Sequence, residues 1–489
     1  MAANTAHLDA PPDRLTFGVE LEFLVPWLYD DQNDPLGQAN GLSPLFRVSR
    51  NTTDADIEIR DTLRNLFWTH GLETSVQTYK YKSEYAKGTL DRYSAWNITG
   101  DPSVIEEDPS FLKYQWTDVE ITSPVEPDIP IAYEILNYAR QLLTKSYRCR
   151  VNSSCGLHVH VGKGAERFDL TNMRRIAALI WSSEHLVANL NHPSRQSNFM
   201  LPTLRTRSVI ALGRSDGTHD KIVPGAQLSR CMDYLAKEVR HGEDPFSFRD
   251  RNRGEDIRAA FAKTRENGHY EPFQWSPNGQ SNDAFIPIEK NQKSVDEEIL
   301  ESAEKMASQP NFQRSVKPKE PSRIRTLAKM VNKKHTYIDP LNPDVKEDPG
   351  VFEGVKQLYE SPSSCDLAWL MYPKGRGSVN FSLYNCGEFC WADRGKRTIE
   401  FRVAEGTLDS WVVTWTKICV GMIRFALYSP VDEFLSVLMK CDASDREGGN
   451  FDCIDFLDEI GLPAEAVLAE RHLKENEKEF GIKYVNGSS

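Results

Sequence analysis

Three stretches far apart in the chain each carry two metal- or phosphate-seeking side chains two residues apart inside an apolar run. In Phe17-Gly18-Val19-Glu20-Leu21-Glu22-Phe23 the pair is two carboxylates. In Cys155-Gly156-Leu157-His158-Val159-His160-Val161-Gly162 it is two imidazoles. In Thr398-Ile399-Glu400-Phe401-Arg402-Val403 it is a carboxylate and a guanidinium. A spacing of two puts both groups on one face of a strand and the apolar residues on the other. Two carboxylates side by side in apolar surroundings repel each other and are costly to bury. A divalent cation between them resolves both problems. A half-exposed strand with a polar outer face gives the same alternation, so no single stretch decides the matter. Three stretches of complementary chemistry point to one sheet with a charged cleft floor and an apolar underside.

The elements that must hold these groups follow from periodicity. A strand is expected over residues 15–25, then a long loop over 27–53 covering the site. Helices are expected over 54–70, 128–145 and 170–190. The first has Ile59, Leu63, Leu66 and Phe67 on one stripe and stops at Gly71; the second takes Asp128 as its cap and Pro130 in its first turn. Short strands fit near 72–80 and 90–99, and Val119 to Pro124 begins another. Ser294 and Glu297 suit a capping box for a helix to about Ser308. Further along, the pattern predicts a helix over 351–371, a strand over 378–384, a buried helix over 409–427 and short helices within 431–475.

The chain of 489 residues is too long for one ordinary core. The expected division is an arm over 1–14 and a loose last dozen residues, a core in two parts (15–200 and 371–430), an insertion over 201–370 and a helical segment over 431–489. Strand and helix alternate without a repeat, so the fold is mixed α and β. A net charge of -12 argues against a general nucleic-acid binder. No apolar run is long enough to span a bilayer, and residues 1–14 lack a hydrophobic signal core; the expectation is a cytoplasmic protein with no membrane partner. Nine cysteines without a Cys-x-x-Cys pair read as reduced thiols, not a zinc knuckle. Between Arg314 and Lys334 lie eight Lys or Arg and one acid, Glu320. That run is a solvated face or a contact for an acidic substrate.

The motifs, taken in order, resemble the amidoligase family of the glutamine synthetase and glutamate–cysteine ligase superfamily. They are Gly18-Val19-Glu20-Leu21-Glu22, Trp96 with Asp101 and Ser103, Glu120 before Ser123-Pro124, Cys155 to His160, and Glu400-Phe401-Arg402 followed by Gly406-Thr407-Leu408-Asp409. The resemblance covers roughly residues 15–200 and 375–430. It implies an α+β fold, a curved antiparallel sheet of the glutamine synthetase type with packed helices, carrying divalent ions and ATP on its concave face. It implies ATP-dependent amide formation, in which a carboxylate takes the γ-phosphoryl group as an acyl phosphate and an amine then displaces phosphate.

By that resemblance, Glu20, Glu22, Asp101, Glu120, His158 and Glu400 are the metal ligands. Hard oxygen donors suit Mg2+ or Mn2+. Asp101 also fits as a plain turn residue before Pro102. Arg402, with Glu22 and His158, is implied in catalysis, and Arg402 matches the arginine that stabilises the transferred phosphoryl group. His160, Asn380, Lys374, Arg376 and Arg397 are nucleotide-binding candidates, with Arg394 beside them; loop charge explains the basic ones equally well. The implied partners are small-molecule or peptide carboxylates and amines. Nothing in the sequence marks an oligomer interface or names a base for the amine. Two alternatives stand: a metal-dependent hydrolase built on the His-x-His strand, and a non-catalytic binding relative of the fold. Against the hydrolase, the other nine of the eleven histidines form no matching pattern.

Overall fold

The computed structural model describes residues 14–36, 42–75, 94–164, 167–196, 203–211, 295–308, 325–332, 348–361, 364–372, 377–384, 398–447 and 450–485. The chain divides into two compact units, Met1–Gly164 with Glu400–Val420, and Ala165–Ile399 with Gly421–Ser489. The fold is α+β: an open, mainly antiparallel sheet with packed helices. Its strands among the described residues are β1 (Thr16–Tyr29), β2 (Phe46–Val48), β3 (Asn97–Thr99), β4 (Gln115–Thr122), β5 (Glu126–Pro127), β6 (Gly156–Gly162), β7 (Val379–Asn380) and β8 (Ile399–Glu405).

In the first unit the order is β3-β4-β1-β6-β8, with β2 and β5 also on β1. β1 is antiparallel to β4, β5 and β6 and parallel to β2. Alternation along β1 is as the sequence predicts. Phe17, Val19, Leu21 and Phe23 are each no more than 2% exposed. Beneath that face Phe17 stacks on Tyr133 of helix α2 (Pro130–Ser146), with ring centroids 4.8 Å apart. Helix α1 (Ala55–Thr69) is capped by Asp54, whose carboxylate accepts from Ile57 N–H at 3.1 Å. It ends before Gly71 at φ +82°, a left-handed turn that glycine takes without strain. Arg60 and Arg64 of α1 donate to the backbone carbonyls of Asp118 in β4 and Ile98 in β3.

Several local expectations change. β1 continues through Pro26, which faces Trp116 across the ladder, and β2 occupies part of the predicted 27–53 loop. Asp128 does not cap α2; it accepts instead from the Tyr133 hydroxyl at 2.8 Å, and Pro130 alone opens the helix. Ser294, the proposed cap of Val295–Ala307, lies outside the described residues, as do 76–93 within the predicted strands.

The second unit is built around helix α3 (Leu170–Val187), capped by Asp169 and buried from Arg175 through Val187. The helix predicted over 351–371 is two helices, Val351–Tyr359 and Ser364–Leu370. Of the strand predicted over 378–384, only Val379–Asn380 forms, followed by a 3-10 turn at Ser382–Tyr384. Near the C-terminus, expected to be loose, Tyr484 bridges to Met330. No helix among the described residues is long and apolar enough to cross a membrane.

Candidate active site

The register of the sheet brings the charged pairs into rows. Thr122 of β4 lies opposite Glu20, and Glu20 lies opposite His158 of β6. One step along β1, Glu22 lies opposite Glu120, and Glu120 opposite Thr99 of β3. β8 runs beside β6 and adds Glu400 and Arg402. The turn after β8 is pinned at its close approach to β6. Gly406 N–H donates to the Cys155 carbonyl at 3.0 Å, and a Cβ on Gly406 would collide with Cys155.

Two ligand groups result, each with donor atoms within 4.8 Å of one another: Glu20, His160 and Glu400, and Glu22, Asp101 and Glu120. In the first, His160 Nε2 is 3.0 Å from Glu20 Oε1 and 3.9 Å from Glu400 Oε1. His158 stands between the groups, its Nδ1 3.1 Å from Glu20 Oε2 and 3.5 Å from Glu22 Oε1. Arg402 Nη1 is 2.5 Å from Glu400 Oε1 and 3.4 Å from His158 Nδ1. In the second group, Gly156 N–H donates to Glu22 Oε2 at 2.7 Å. Asp101 Oδ1 accepts from Ser103 N–H and from its hydroxyl, at 2.8 and 2.7 Å. The turn role and a ligand role for Asp101 are therefore compatible: one oxygen closes the turn while the side chain joins the group.

Electrostatics separate the acids. Burial, then the charges of Glu20, Glu22 and Asp101, push the Glu120 carboxyl up to about 8. Burial would also raise Glu400, but Arg402 and the two imidazoles outweigh it and hold that carboxyl well below the usual range. One acid is thus held in its charged form by Arg402, and the other is pushed toward its protonated form by burial and its acidic neighbours.

The structure gathers Glu20, Glu22, Asp101, Glu120, His158, His160, Glu400 and Arg402 in the first unit. His160, a nucleotide-binding candidate because it shares a face with His158, lies in the ligand group of Glu20 and Glu400. Asn380 lies in the second unit, where its Oδ1 accepts from Ser382 N–H at 2.9 Å. Lys374, Arg376, Arg394 and Arg397 lie outside the described residues. The motifs include Ser103 and Gly156 without giving them a role, and Arg60 lies outside them; the bonds of all three fix the ligands or their strands, and only Ser103 carried a signal for its role, as the partner in an Asp-x-Ser turn.

Residues 13–209 match the model of a family described as "Putative amidoligase enzyme", which supports an amidoligase assignment for that part of the chain. Six of the eight gathered residues fall inside that match. Glu400 and Arg402 fall outside it and join the site through the sheet. No curated protein and no solved structure matches the chain.

Proposed function

We propose that the protein is an ATP-dependent carboxylate–amine ligase that forms an amide through an acyl phosphate. The observation that carries this reading is the pair of ligand groups on one face of β1, with Arg402 beside them. The donor sets fit divalent metal. One group offers three carboxylates, the other two carboxylates and an imidazole, a hard set suited to Mg2+ or Mn2+. A zinc hydrolase built on His-x-His is less well supported, because the two histidines do not share one ligand group.

Glu20, His160 and Glu400 would hold one cation and Glu22, Asp101 and Glu120 the other. When bound, the cations supply neutralising charge to the ATP phosphates. The residues of the chain do the rest. His158 braces the two carboxylates of β1 from the neighbouring strand. Arg402, planar and permanently charged, offers its fork to the negative charge that develops on the transferred phosphoryl group. A substrate carboxylate oxygen attacks the γ-phosphorus as the bond to ADP breaks. The amine nitrogen then attacks the acyl carbon, loses a proton, and phosphate leaves.

Asn380, Lys374, Arg376 and Arg397 remain proposed nucleotide contacts. The substrates are proposed to be small-molecule or peptide acids and amines. A cytosolic setting accords with the free thiols of Cys149, Cys419, Cys441 and Cys453.

The test is ADP release from Mg2+-ATP with pooled carboxylates and amines. The expected result is release that needs both an acid and an amine and is lost in Glu20→Gln. Release that ignores both pools, or that persists in Glu20→Gln, would overturn the reading.

A further inference from the structure

We propose that Arg60 is a positioning residue for the Glu22–Asp101–Glu120 group, setting the separation of two acids that it does not touch. This rests on the cation reading above for what the group holds.

Arg60 is 8% exposed on α1. Its Nη2 and Nε donate to the Asp118 carbonyl at 2.9 and 3.2 Å, and Nη2 meets Asp118 Oδ2 at 3.0 Å. Asp118 precedes Glu120 by two residues in β4, so the two side chains share a face. The same guanidinium lies against Gly100, the residue before Asp101. A Cβ there would run into Arg60 Nη2 and Cζ and into Asp118 Oδ2. One planar cation therefore fixes the strand just before Glu120 and the turn just before Asp101.

Those two acids belong to one ligand group, and as carboxylates they repel each other, so their separation depends on how their backbones are tied. Arg60 is that tie, and its fork geometry matters. Lysine carries the charge but not the parallel donors that reach both the Asp118 carbonyl and its carboxylate. Arg64, one turn further along α1, supplies a matched contrast. It donates to the Ile98 carbonyl at 2.8 Å and pairs with Asp61. Arg64 thus helps dock α1, while Arg60 docks it and also sets the acids.

The test is Mn2+ binding to the full chain, followed by calorimetry and by electron paramagnetic resonance of free Mn2+, with thermal melts as a check of folding. Wild-type protein is expected to show two classes of site. Glu120→Gln and Glu400→Gln identify them by each removing a different one. Arg60→Lys is expected to weaken the class that Glu120→Gln removes by about 10–100-fold, as loss of a supporting contact does at metal sites. It leaves the other class unchanged, and Arg64→Lys leaves both unchanged. Asp118→Asn, which keeps the carbonyl contacts, gives a smaller loss in the same class and serves if Arg60→Lys folds poorly. Unchanged binding in Arg60→Lys and Asp118→Asn would overturn the inference, as would an equal loss at both classes shared by Arg64→Lys. Wild-type protein that binds no Mn2+ would instead remove the cation reading, and this inference with it.

Discussion

The buried acids of the two ligand groups and those of the second unit are partnered in opposite ways. In the second unit they come with counter-charges or backbone donors. Asp452, fully buried, accepts from Arg325 at 3.0 and 2.5 Å, and Asp455 and Glu470 lie 3.2 and 3.7 Å from the same guanidinium. Arg205, itself buried, meets Asp348 and Asp445, each at 2.7 Å. Glu184 accepts from the backbone N–H groups of Leu204 and Arg205 at 2.8 and 2.9 Å. In the first unit the two ligand groups and their immediate neighbours bring together five carboxylates, one guanidinium and two imidazoles. The second arrangement is complete as folded and holds helices and loops together. The first is short of positive charge, which is the ground for the cation we propose there. A surplus of buried charge of one sign, more than buried charge itself, separates the site from the scaffold.

The largest effect should come from Glu20→Gln, which removes one charge from the surplus and keeps the shape. Metal-dependent ATP turnover should fall on the order of 10³-fold. The metal-free protein should melt no earlier than wild type, because a like-charge repulsion is relieved; a clear loss of metal-free stability would break the comparison. Arg325→Ala is the converse. It leaves Asp452 buried without its cation and should cost about 3 kcal/mol in denaturant unfolding. Mn2+ affinity in the first unit should be untouched, and a matching loss there would show that the two regions are not independent.

Arg402→Lys should lower turnover by about 10²-fold with little change in the melt, since lysine keeps the charge beside Glu400 but loses the fork. Unchanged turnover would take Arg402 out of phosphoryl transfer.

The smallest effect concerns Glu126, on β5 opposite Phe17. Burial pushes its carboxyl from 4.5 up to about 7. Between those values the folded chain keeps a proton that the unfolded chain has released, so stability falls as pH rises through that window. Glu126→Gln should flatten this slope and add about 1–2 kcal/mol at pH 8. An unchanged stability–pH profile in the variant would remove Glu126 as its source.

The charged face was legible because it lies on strands. A period of two inside an apolar run marks which residues share a face, so Glu20, Glu22, His158, His160, Glu400 and Arg402 could be named before their neighbours were known. Asp101 needed the ordered motifs, since a turn acid has no period; Glu120 came from the same motifs together with its place between Val119 and Ile121 on a strand. What joins the strands was not legible. Arg60 sits beside Ile59 on an ordinary helix stripe, and its partner lies 58 residues away. Periodicity also ran the helix through 351–371, although Ser361-Pro362 is a breaker, and it stopped β1 near Pro26, where the strand in fact continues. Local pattern fixes faces; partners between elements come from tertiary packing.

We propose that the face around Glu20 and Glu22 takes up a divalent cation together with ATP. It is tested most directly by thermal unfolding of wild type, Glu20→Gln and Glu120→Gln with ATP, with Mg2+, with both, and with Zn2+ alone. The account predicts that Mg2+ and ATP together raise the melting temperature of wild type more than either alone, and that both variants lose the increment. A wild-type protein indifferent to Mg2+-ATP but stabilised by Zn2+, or variants that keep the full Mg2+-ATP shift, would contradict it.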